Sequence, residues 1–261
     1  MSFLTIQDIH HTYFTKASAT TALTNVSLQV EEGEFVSFLG PSGCGKTTLL
    51  SIIAGLIKPT QGHVLLENLP VSTAKNQIGY MLQQDYLFPW KTIEENILIG
   101  LKLSKQLTNQ NKAAALNLLH QIGLSGVEKQ LPKQLSGGMR QRVALVRTLA
   151  TEPKLLMLDE PFSALDYQTK LKLEDLVSNT LDTFGKTAIL VTHDIGEAIA
   201  MSDRVFLFSP SPGRVHQEFH IPEELRALSP FNARNHPAFS SIFQTIWKEL
   251  ESLEQRKEST S

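Results

Sequence analysis

Gly40-Pro41-Ser42-Gly43-Cys44-Gly45-Lys46-Thr47-Thr48 is the stretch that decides the fold. It fits the pattern G-x-x-x-x-G-K-[ST] in full. The apolar run Phe35–Leu39 before it reads as a buried strand, and apolar residues from Thr47 to Leu56 recur at helical spacing. A strand, a glycine loop and a helix in this order predict a phosphate-binding loop, whereas a chance glycine-rich turn would not need this context.

The residue types of the loop suit a nucleoside triphosphate. Its glycines allow backbone N–H groups to turn inward toward phosphate oxygens, and the helix that follows adds the positive end of its dipole. Lys46 is predicted to reach the β- and γ-phosphates, and the Thr47 hydroxyl is predicted to bind Mg²⁺. The predicted nucleotide-binding residues of the loop are Gly40, Pro41, Ser42, Gly43, Cys44, Gly45, Lys46, Thr47 and Thr48.

Composition narrows the class of protein. The chain has 261 residues, of which 41% are hydrophobic and 19% charged, and its formal net charge is −2. That length suits one large α/β domain or one domain with a subdomain, and the absence of a basic excess argues against a nucleic-acid partner. No apolar run approaches the roughly 18 residues that span a bilayer, and the N-terminus lacks a signal region, so we expect a cytoplasmic protein.

The sequence has one cysteine, Cys44, which cannot form an internal disulfide. Because Cys44 lies inside the phosphate loop, its alkylation is expected to block ATP binding sterically. Bound ATP is expected to protect it from the reagent.

Two later strands end in polar residues that suit a hydrolase. Leu155–Leu158 predicts a buried strand followed by Asp159 and Glu160, at the sheet edge where open α/β folds place their chemistry. Asp159 is predicted to hold Mg²⁺, and Glu160 to polarise the attacking water. A second strand, Ala188–Val191, is followed by His193, which could hydrogen-bond the γ-phosphate.

Segments before and after these strands complete the predicted architecture. Alternating residues over Phe3–Ile9 and Ala22–Val30 predict two half-exposed strands, joined by a loop that holds Tyr13 and Phe14. Tyr13 could stack on adenine or pack beneath the hairpin, and the spacing leaves both possibilities open. Helical patterns follow over Ile93–Leu103, Asn109–Ile122 and Ser136–Ala150, and later a hairpin of Arg204–Phe208 with a strand reaching Ile221.

Two further segments are rich in apolar residues. Between Gln83 and Trp90 the apolar density is high for a loop, so the segment either packs within a helical subdomain or receives a partner. Ala238–Gln255 predicts an amphipathic helix, for which docking on its own domain is the simplest interpretation.

The motif Leu135-Ser-Gly-Gly-Met-Arg-Gln-Arg142 gives a family resemblance. Together with the phosphate loop, Gln83, Asp159-Glu160, Ser163-Ala-Leu-Asp166 and His193, in this order, it makes the chain resemble the nucleotide-binding cassette of ABC transporters. The likeness spans about Phe3 to Phe219 and departs from the usual signature at Met139, where glutamine is common. It implies an α/β P-loop NTPase fold with an antiparallel β subdomain and a helical subdomain at about 85–152. The cassette would span 1–220, with a connector and amphipathic helix over 221–261.

The resemblance also implies roles for individual residues. Two copies would enclose two ATP molecules, so that Ser136, Gly137 and Gly138 of one copy contact the γ-phosphate held by Lys46 of the other. Asp166 would couple the two sites. Gln83 would approach the metal and the attacking water and sense the permease, and Tyr13 aligns with the adenine-stacking aromatic of the family.

A finer resemblance concerns the transported solute. The phosphate loop, Leu87-Phe-Pro-Trp90 and the Leu-Ser-Gly-Gly-Met signature are similar to importers of nitrate, sulfonates, taurine and pyrimidine precursors of thiamine. This implies an ATPase on the cytoplasmic face of the membrane that uses ATP and Mg²⁺. Its partners would be a second copy of itself, integral membrane permease subunits and, through the permease, an extracytoplasmic solute-binding protein. The alternative is a soluble ABC ATPase of the repair or translation type, which the short helical insertion and single cassette disfavour.

Overall fold

The computed structural model describes residues 2–74, 77–163 and 165–258. The predicted domain limits 1 and 261, and Ala164 of the Ser163–Asp166 motif, lie outside these ranges. In chain order the elements are β1 (Leu4–Phe14), β2 (Ala19–Val30), β3 (Phe35–Leu39), α1 (Lys46–Ile53), β4 (Gln61–Leu66), β5 (Leu69–Pro70), β6 (Ile78–Met81), α2 (Ile93–Ile97), α3 (Ile99–Leu103), α4 (Asn109–Gln121), α5 (Gly137–Leu149), β7 (Leu155–Asp159), α6 (Tyr167–Phe184), β8 (Thr187–Thr192), α7 (Ile195–Met201), β9 (Arg204–Phe208), β10 (Val215–His220), α8 (Glu223–Arg226), α9 (Pro230–Ala233) and α10 (Pro237–Glu258).

The larger sheet has six strands in the order β10-β9-β3-β8-β7-β6. The five strands from β9 to β6 are parallel, and β10 runs antiparallel to β9. Every residue of β3, β7 and β8 is buried, as is typical of parallel strands covered on both faces. The register pairs Leu39 with Thr192 and Asp159 with Val191, so the carboxyl ends of these strands meet at one edge.

The smaller sheet is antiparallel, with the order β2-β1-β4-β5. Its first hairpin is longer than the sequence pattern predicts, because Tyr13 pairs with Thr20 and Phe14 with Ala19. The prediction that both aromatic residues lie in a loop is therefore wrong. The turn is confined to 15–18, and a hydrogen bond of 2.8 Å from Thr15 N to Ser18 O closes it. Tyr13 thus projects from a strand rather than a loop.

The helical segment lies between β6 and β7. The predicted helices are confirmed within one or two residues, except that the first divides into α2 and α3 at Leu98. A capping box of Thr92 and Glu95 begins α2. Leu119 of α4 and Val143 of α5 share one apolar core with strand residues such as Leu156, so these helices are packed onto the larger sheet.

Two helices that the sequence pattern did not predict follow the strands of the site. Helix α6 begins at the N-cap Asp166 and ends at Gly185, whose φ of 56° is left-handed. Helix α7 begins at the N-cap Asp194. Both helices begin at the carboxyl edge of the larger sheet, where the polar residues of the site lie.

The predicted C-terminal amphipathic helix is confirmed as α10. Ile246 is 0% exposed and packs with Ile199 of α7, whereas the adjacent Trp247 is 52% exposed and stacks on Phe243. The apolar face of α10 therefore docks on its own domain. No helix within the described ranges has the length and apolar character required to cross a membrane.

Candidate active site

The glycine loop connects β3 to α1 and is backed by the antiparallel sheet. Gly45 is the N-cap of α1 with a φ of 96°. A Cβ there would lie 2.7 Å from Leu23 Cδ2 and 2.8 Å from Ala22 O of β2, so no larger residue fits. Gly43, with a φ of 77°, also has the left-handed backbone that favours glycine. Two of the predicted glycines are thus required by the backbone geometry of a phosphate cradle.

Lys46 is held inside this loop. Its buried ammonium donates to Gly40 O at 2.7 Å and Pro41 O at 2.9 Å. The loop therefore contains a fixed positive charge in addition to the backbone N–H groups at the start of α1.

Cys44 points away from the loop surface. The side chain is fully buried in a core of β2 and β3 residues that includes Leu23 and Phe38. Burial raises the pKa of its thiol, although the nearby Lys46 charge opposes this. The thiol lies beneath the loop, 3.5 Å from Lys46 Nζ. Because it is fully buried, the expectation that alkylation of Cys44 competes with ATP is wrong for the folded protein.

Oxygen ligands for a divalent cation lie beside the loop. Thr47 Oγ1 donates to Asp159 Oδ1 at 3.3 Å, and Tyr80, which the sequence analysis missed, donates through its hydroxyl to Asp159 Oδ2 at 3.5 Å. Asp159 is buried, and burial raises the pKa of its carboxyl above the ordinary value. A hydroxyl and one carboxylate fit Mg²⁺, which is commonly held by one or two carboxylates together with substrate phosphates.

Glu160 follows Asp159 with a strained backbone. Its φ of 48° is left-handed, which is uncommon for a residue other than glycine and is often found at functional sites. Its N–H donates to Val191 O of β8 at 2.9 Å. Gln83 Nε2 donates to Glu160 Oε2 at 2.9 Å, and His193 Nδ1 lies 3.3 Å from Glu160 Oε1. Glu160 and His193, predicted from two strand ends, and Gln83, implied by the family resemblance, are therefore in contact.

Two further features support the position of this carboxylate. Gln141, a buried residue of the signature motif, donates from Nε2 to Glu160 O at 3.4 Å. A cavity of about 140 Å³ lies beside Glu160 and His193. A carboxylate held in this way can accept a proton from a water molecule beside the nucleotide.

The signature residues and Asp166 lie at the starts of two helices, α5 and α6. Ser136 is the N-cap of α5 and accepts from Met139 N at 3.3 Å, with Gly137 and Gly138 in the first turn. Asp166 likewise caps α6, accepting from Thr169 N at 3.0 Å. Among the residues that the structure describes, no hydrogen bond or ion pair joins Ser136, Gly137, Gly138 or Asp166 to the glycine loop. Hydrogen bonds and ion pairs of the described residues therefore do not join all the predicted binding residues of one chain.

Tyr13 lies at the far side of the loop. Its hydroxyl is 3.2 Å from Thr48 Oγ1, and its ring contacts His11 edge-to-face at 4.5 Å. The side chain is partly exposed. The ring lies beside the last residue of the loop, and its stacking on a base stays a prediction.

The fold and the site together define an ATP-binding cassette with the P-loop ATPase architecture. The family model described as "ABC transporter" matches residues 23–163. The chain therefore belongs to the ABC transporter family, whose cassettes are ATPases.

Several curated relatives cover most of the chain. An uncharacterised ABC transporter ATP-binding protein, YtlC of Bacillus subtilis, is 63% identical over 257 residues, covering 98% of this chain and 99% of the relative. The taurine import ATP-binding protein TauB of Yersinia pestis is 42% identical over 234 residues, covering 85% and 92%. The aliphatic sulfonates import ATP-binding protein SsuB of Bacillus licheniformis is 41% identical over 236 residues, covering 90% and 89%.

A solved structure shares the fold. The ATP-binding cassette MJ0796, determined as a dimer in a post-hydrolysis state bound to ADP and phosphate, has a TM-score of 0.77 and 34% identity. The match covers 84% of this chain and 99% of that one. The predicted α/β cassette with its antiparallel sheet and helices is confirmed.

Proposed function

We propose that this protein is the ATP-hydrolysing subunit of an importer for a small anion, with taurine and other sulfonates as the favoured solutes. Nitrate and pyrimidine precursors of thiamine belong to the same sequence-based proposal. The support is the identity of 41–42% to cassettes named for taurine and aliphatic sulfonate import. The protein would work at the cytoplasmic face of the membrane.

Hydrolysis is assigned to the residues at the edge of the larger sheet. Glu160 acts as the general base that accepts a proton from the attacking water, and His193 donates to the γ-phosphate. Lys46 binds the β- and γ-phosphates after exchanging its loop carbonyls for phosphate oxygens. Thr47, Gln83 and Asp159 would hold Mg²⁺, which when bound neutralises charge on the phosphates.

The complete site requires two copies of the chain. Ser136, Gly137 and Gly138 form the N-terminus of a 13-residue helix, where backbone N–H groups favour an anion. Since no hydrogen bond or ion pair among the described residues joins them to the glycine loop of their own chain, we assign them to the γ-phosphate held by the second copy. The dimeric state of the MJ0796 cassette supports this arrangement, and Asp166 would couple the two sites.

The surface that receives the permease is the loop over 83–90. Tyr86 and Trp90 are 60% and 73% exposed, and the Phe88 and Trp90 rings lie 5.6 Å apart. The base of the loop is fixed by the Arg140–Asp85 ion pair at 2.9 Å. The Gln83–Glu160 hydrogen bond of 2.9 Å supports coupling between a permease and hydrolysis, because it connects this loop to the catalytic carboxylate.

Affinity capture tests the proposal. The Glu160→Gln protein, loaded with ATP, is used to capture partners from detergent-solubilised native membranes, with the Trp90→Asp variant of the same protein as control. We expect a multi-spanning permease and a solute-binding protein to bind the first variant and not the second. The captured complex, reconstituted with wild-type cassette, should hydrolyse ATP faster when taurine or an alkanesulfonate is present. Capture of soluble proteins or nucleic acid alone would contradict the importer assignment and favour a repair or translation ATPase.

A further inference from the structure

Five charged side chains form a largely buried network behind the candidate active site. We call it the α6 network, and it consists of Lys170, Glu174, Asp194, Glu197 and Arg234. Lys170 and Glu174 belong to α6, Asp194 and Glu197 to the start of α7, and Arg234 to the end of α9. Burying five charges requires close pairing, because each charge loses its hydration.

Lys170 is the centre of this network. Its ammonium lies 2.6 Å from Asp194 Oδ2 and 2.6 Å from Glu197 Oε1, and its side chain is mostly buried. The second oxygen of each carboxylate is also used. Asp194 Oδ1 accepts from Glu197 N at 3.1 Å, and Glu197 Oε2 accepts from the Thr192 hydroxyl in a short hydrogen bond. Both carboxylates therefore have each oxygen engaged.

These contacts fix the two residues on either side of His193. Lys170 binds Asp194 directly and binds Thr192 through Glu197, so one lysine restrains both neighbours of His193. Asp194 N also donates to Thr192 Oγ1 at 3.0 Å, which closes the turn around His193. The His193 side chain itself is 64% exposed and is in contact with Glu160. The turn fixes the point from which the His193 side chain extends, and Lys170 holds that turn.

The same lysine connects the site to the start of α6. Lys170 N donates to Asp166 O at 2.9 Å, one helical turn away. The cavity of about 140 Å³ is lined by Glu160 and His193 and also by Lys170 and Glu197. At the far end of the network, Arg234 Nη1 lies 2.8 Å from Oε2 of the fully buried Glu174, which balances one of the three carboxylates.

We propose that Lys170 is a positioning residue for ATP hydrolysis: it holds the Thr192–Asp194 turn so that His193 stays beside Glu160. This inference rests on the proposed role of His193. Lys170 does not touch the nucleotide in this role, so its loss should affect turnover much more than ATP binding.

The test compares two lysines of the same helix. Lys170→Met is compared with Lys172→Met, since Lys172 is exposed and lies two residues along α6. We expect Lys170→Met to lower kcat roughly 10- to 100-fold with KM for ATP within about 3-fold, because small displacements of catalytic groups cost this much. Lys170→Arg should restore most of the rate, and Lys172→Met should match the wild type. An equal kcat for both methionine variants would overturn the proposal.

A double-mutant cycle separates positioning from general destabilisation. If Lys170 acts through His193, then Lys170→Met should lower kcat by less than about 3-fold in a His193→Ala background. The same fold-change in both backgrounds would overturn the proposal. If His193→Ala itself leaves kcat unchanged, the proposed role of His193 is wrong instead. The cycle therefore distinguishes a wrong role for Lys170 from a wrong role for His193.

A charge-balanced variant serves as the control for loss of folding. Lys170→Met/Glu197→Gln removes one charge of each sign, so it avoids the excess of buried carboxylates that could unfold the single variant. It should show a cooperative thermal transition and the same low kcat as Lys170→Met. A folded double variant with wild-type kcat would show that Lys170 does not position the site.

Discussion

Glu160 shows which features of a single site residue can be predicted from the sequence. Its position after a buried apolar run predicts a carboxylate at the carboxyl edge of the sheet, as observed. Its left-handed backbone and its partners in the segments after two other strands could not be predicted, because they depend on strand order and on contacts such as that with Gln83, 77 positions away. Sequence patterns locate such residues without giving their geometry.

We expect Glu160→Gln to lower ATP hydrolysis by at least ~100-fold, since glutamine cannot accept the proton of the attacking water. ATP binding should persist, because glutamine keeps the size and most hydrogen bonds. Phosphate release and binding of a fluorescent ATP analogue measure the two effects. Glu152→Gln is a matched control, because Glu152 is an exposed glutamate with the same φ of 48°. Unchanged turnover in Glu160→Gln would remove Glu160 from the role of base.

Burial of Cys44 leads to a prediction opposite to that from its place in the motif. We expect iodoacetamide to label Cys44 at least ~100-fold more slowly in the folded protein than in urea, with or without ATP, because the reagent must await local opening. Labelling followed by mass spectrometry measures both rates. Fast labelling of the folded protein that ATP suppresses would instead place the thiol at the nucleotide surface.

At the scale of elements, clear periodicity was sufficient for most strands and for α4, α5 and α10. Helix α6 was missed although Leu173, Val177 and Leu181 recur every four residues and are all buried. Its interior contains Ser, Asn and Thr residues, which have low helix propensity, so the signal lay in its ends: the cap Asp166 and the terminal Gly185. Tertiary packing stabilises this helix where propensity does not.

The contact between α6 and α9 should make stability depend on pH. Burial raises the pKa of Glu174 to about 7 from an ordinary value of 4.5, with Arg234 and Lys170 opposing the shift and Glu197 adding to it. A carboxyl whose pKa is raised by folding stabilises the protein fully below about pH 4.5 and loses this contribution as the pH rises to about 7. The loss is at most about 3.5 kcal/mol, since one pKa unit corresponds to about 1.4 kcal/mol.

Glu174→Gln removes this titration. Relative to the wild type, the variant should gain stability between pH 5 and pH 8, as measured from urea unfolding curves at both values. Glu152→Gln again serves as control, because Glu152 is exposed. A difference between wild type and Glu174→Gln that stays constant with pH would show that Glu174 is ionised throughout.

Adjacent residues of α10 should differ in their contribution to stability. We expect Ile246→Ala to lower the free energy of unfolding by about 2–4 kcal/mol, since the buried side chain leaves a cavity. Trp247→Ala should change it by less than about 1 kcal/mol because half of that side chain is exposed. Chemical denaturation compares the two. Similar losses would show that α10 docks in another orientation.

For the whole molecule, the proposed assignment of the signature residues to the nucleotide of a second copy predicts dimerisation that requires ATP. The Glu160→Gln protein should sediment as a dimer with ATP and as a monomer without it. Gly137→Asp in that background should abolish the dimer by repelling phosphate while leaving ATP binding by the monomer intact. A Cβ at Gly137 meets only Arg140 Nη2, at 3.9 Å, so the substitution should not disturb the fold. Dimers that persist in Gly137→Asp would place the interface elsewhere.

The strand order β3-β8-β7-β6 has a consequence for biosynthesis. The strand that leads into the glycine loop lies between β8 and β9, both of which are translated long after it. About 150 residues separate β3 from β8, so at about 5–20 residues per second a ribosome needs roughly 10–30 seconds to supply the first neighbour. During that interval the nascent chain carries the complete phosphate-loop motif but not the sheet that supports it. Nucleotide binding is therefore gained late in translation, and a ribosome stalled before Thr187 holds a chain that exposes the apolar edges of β3.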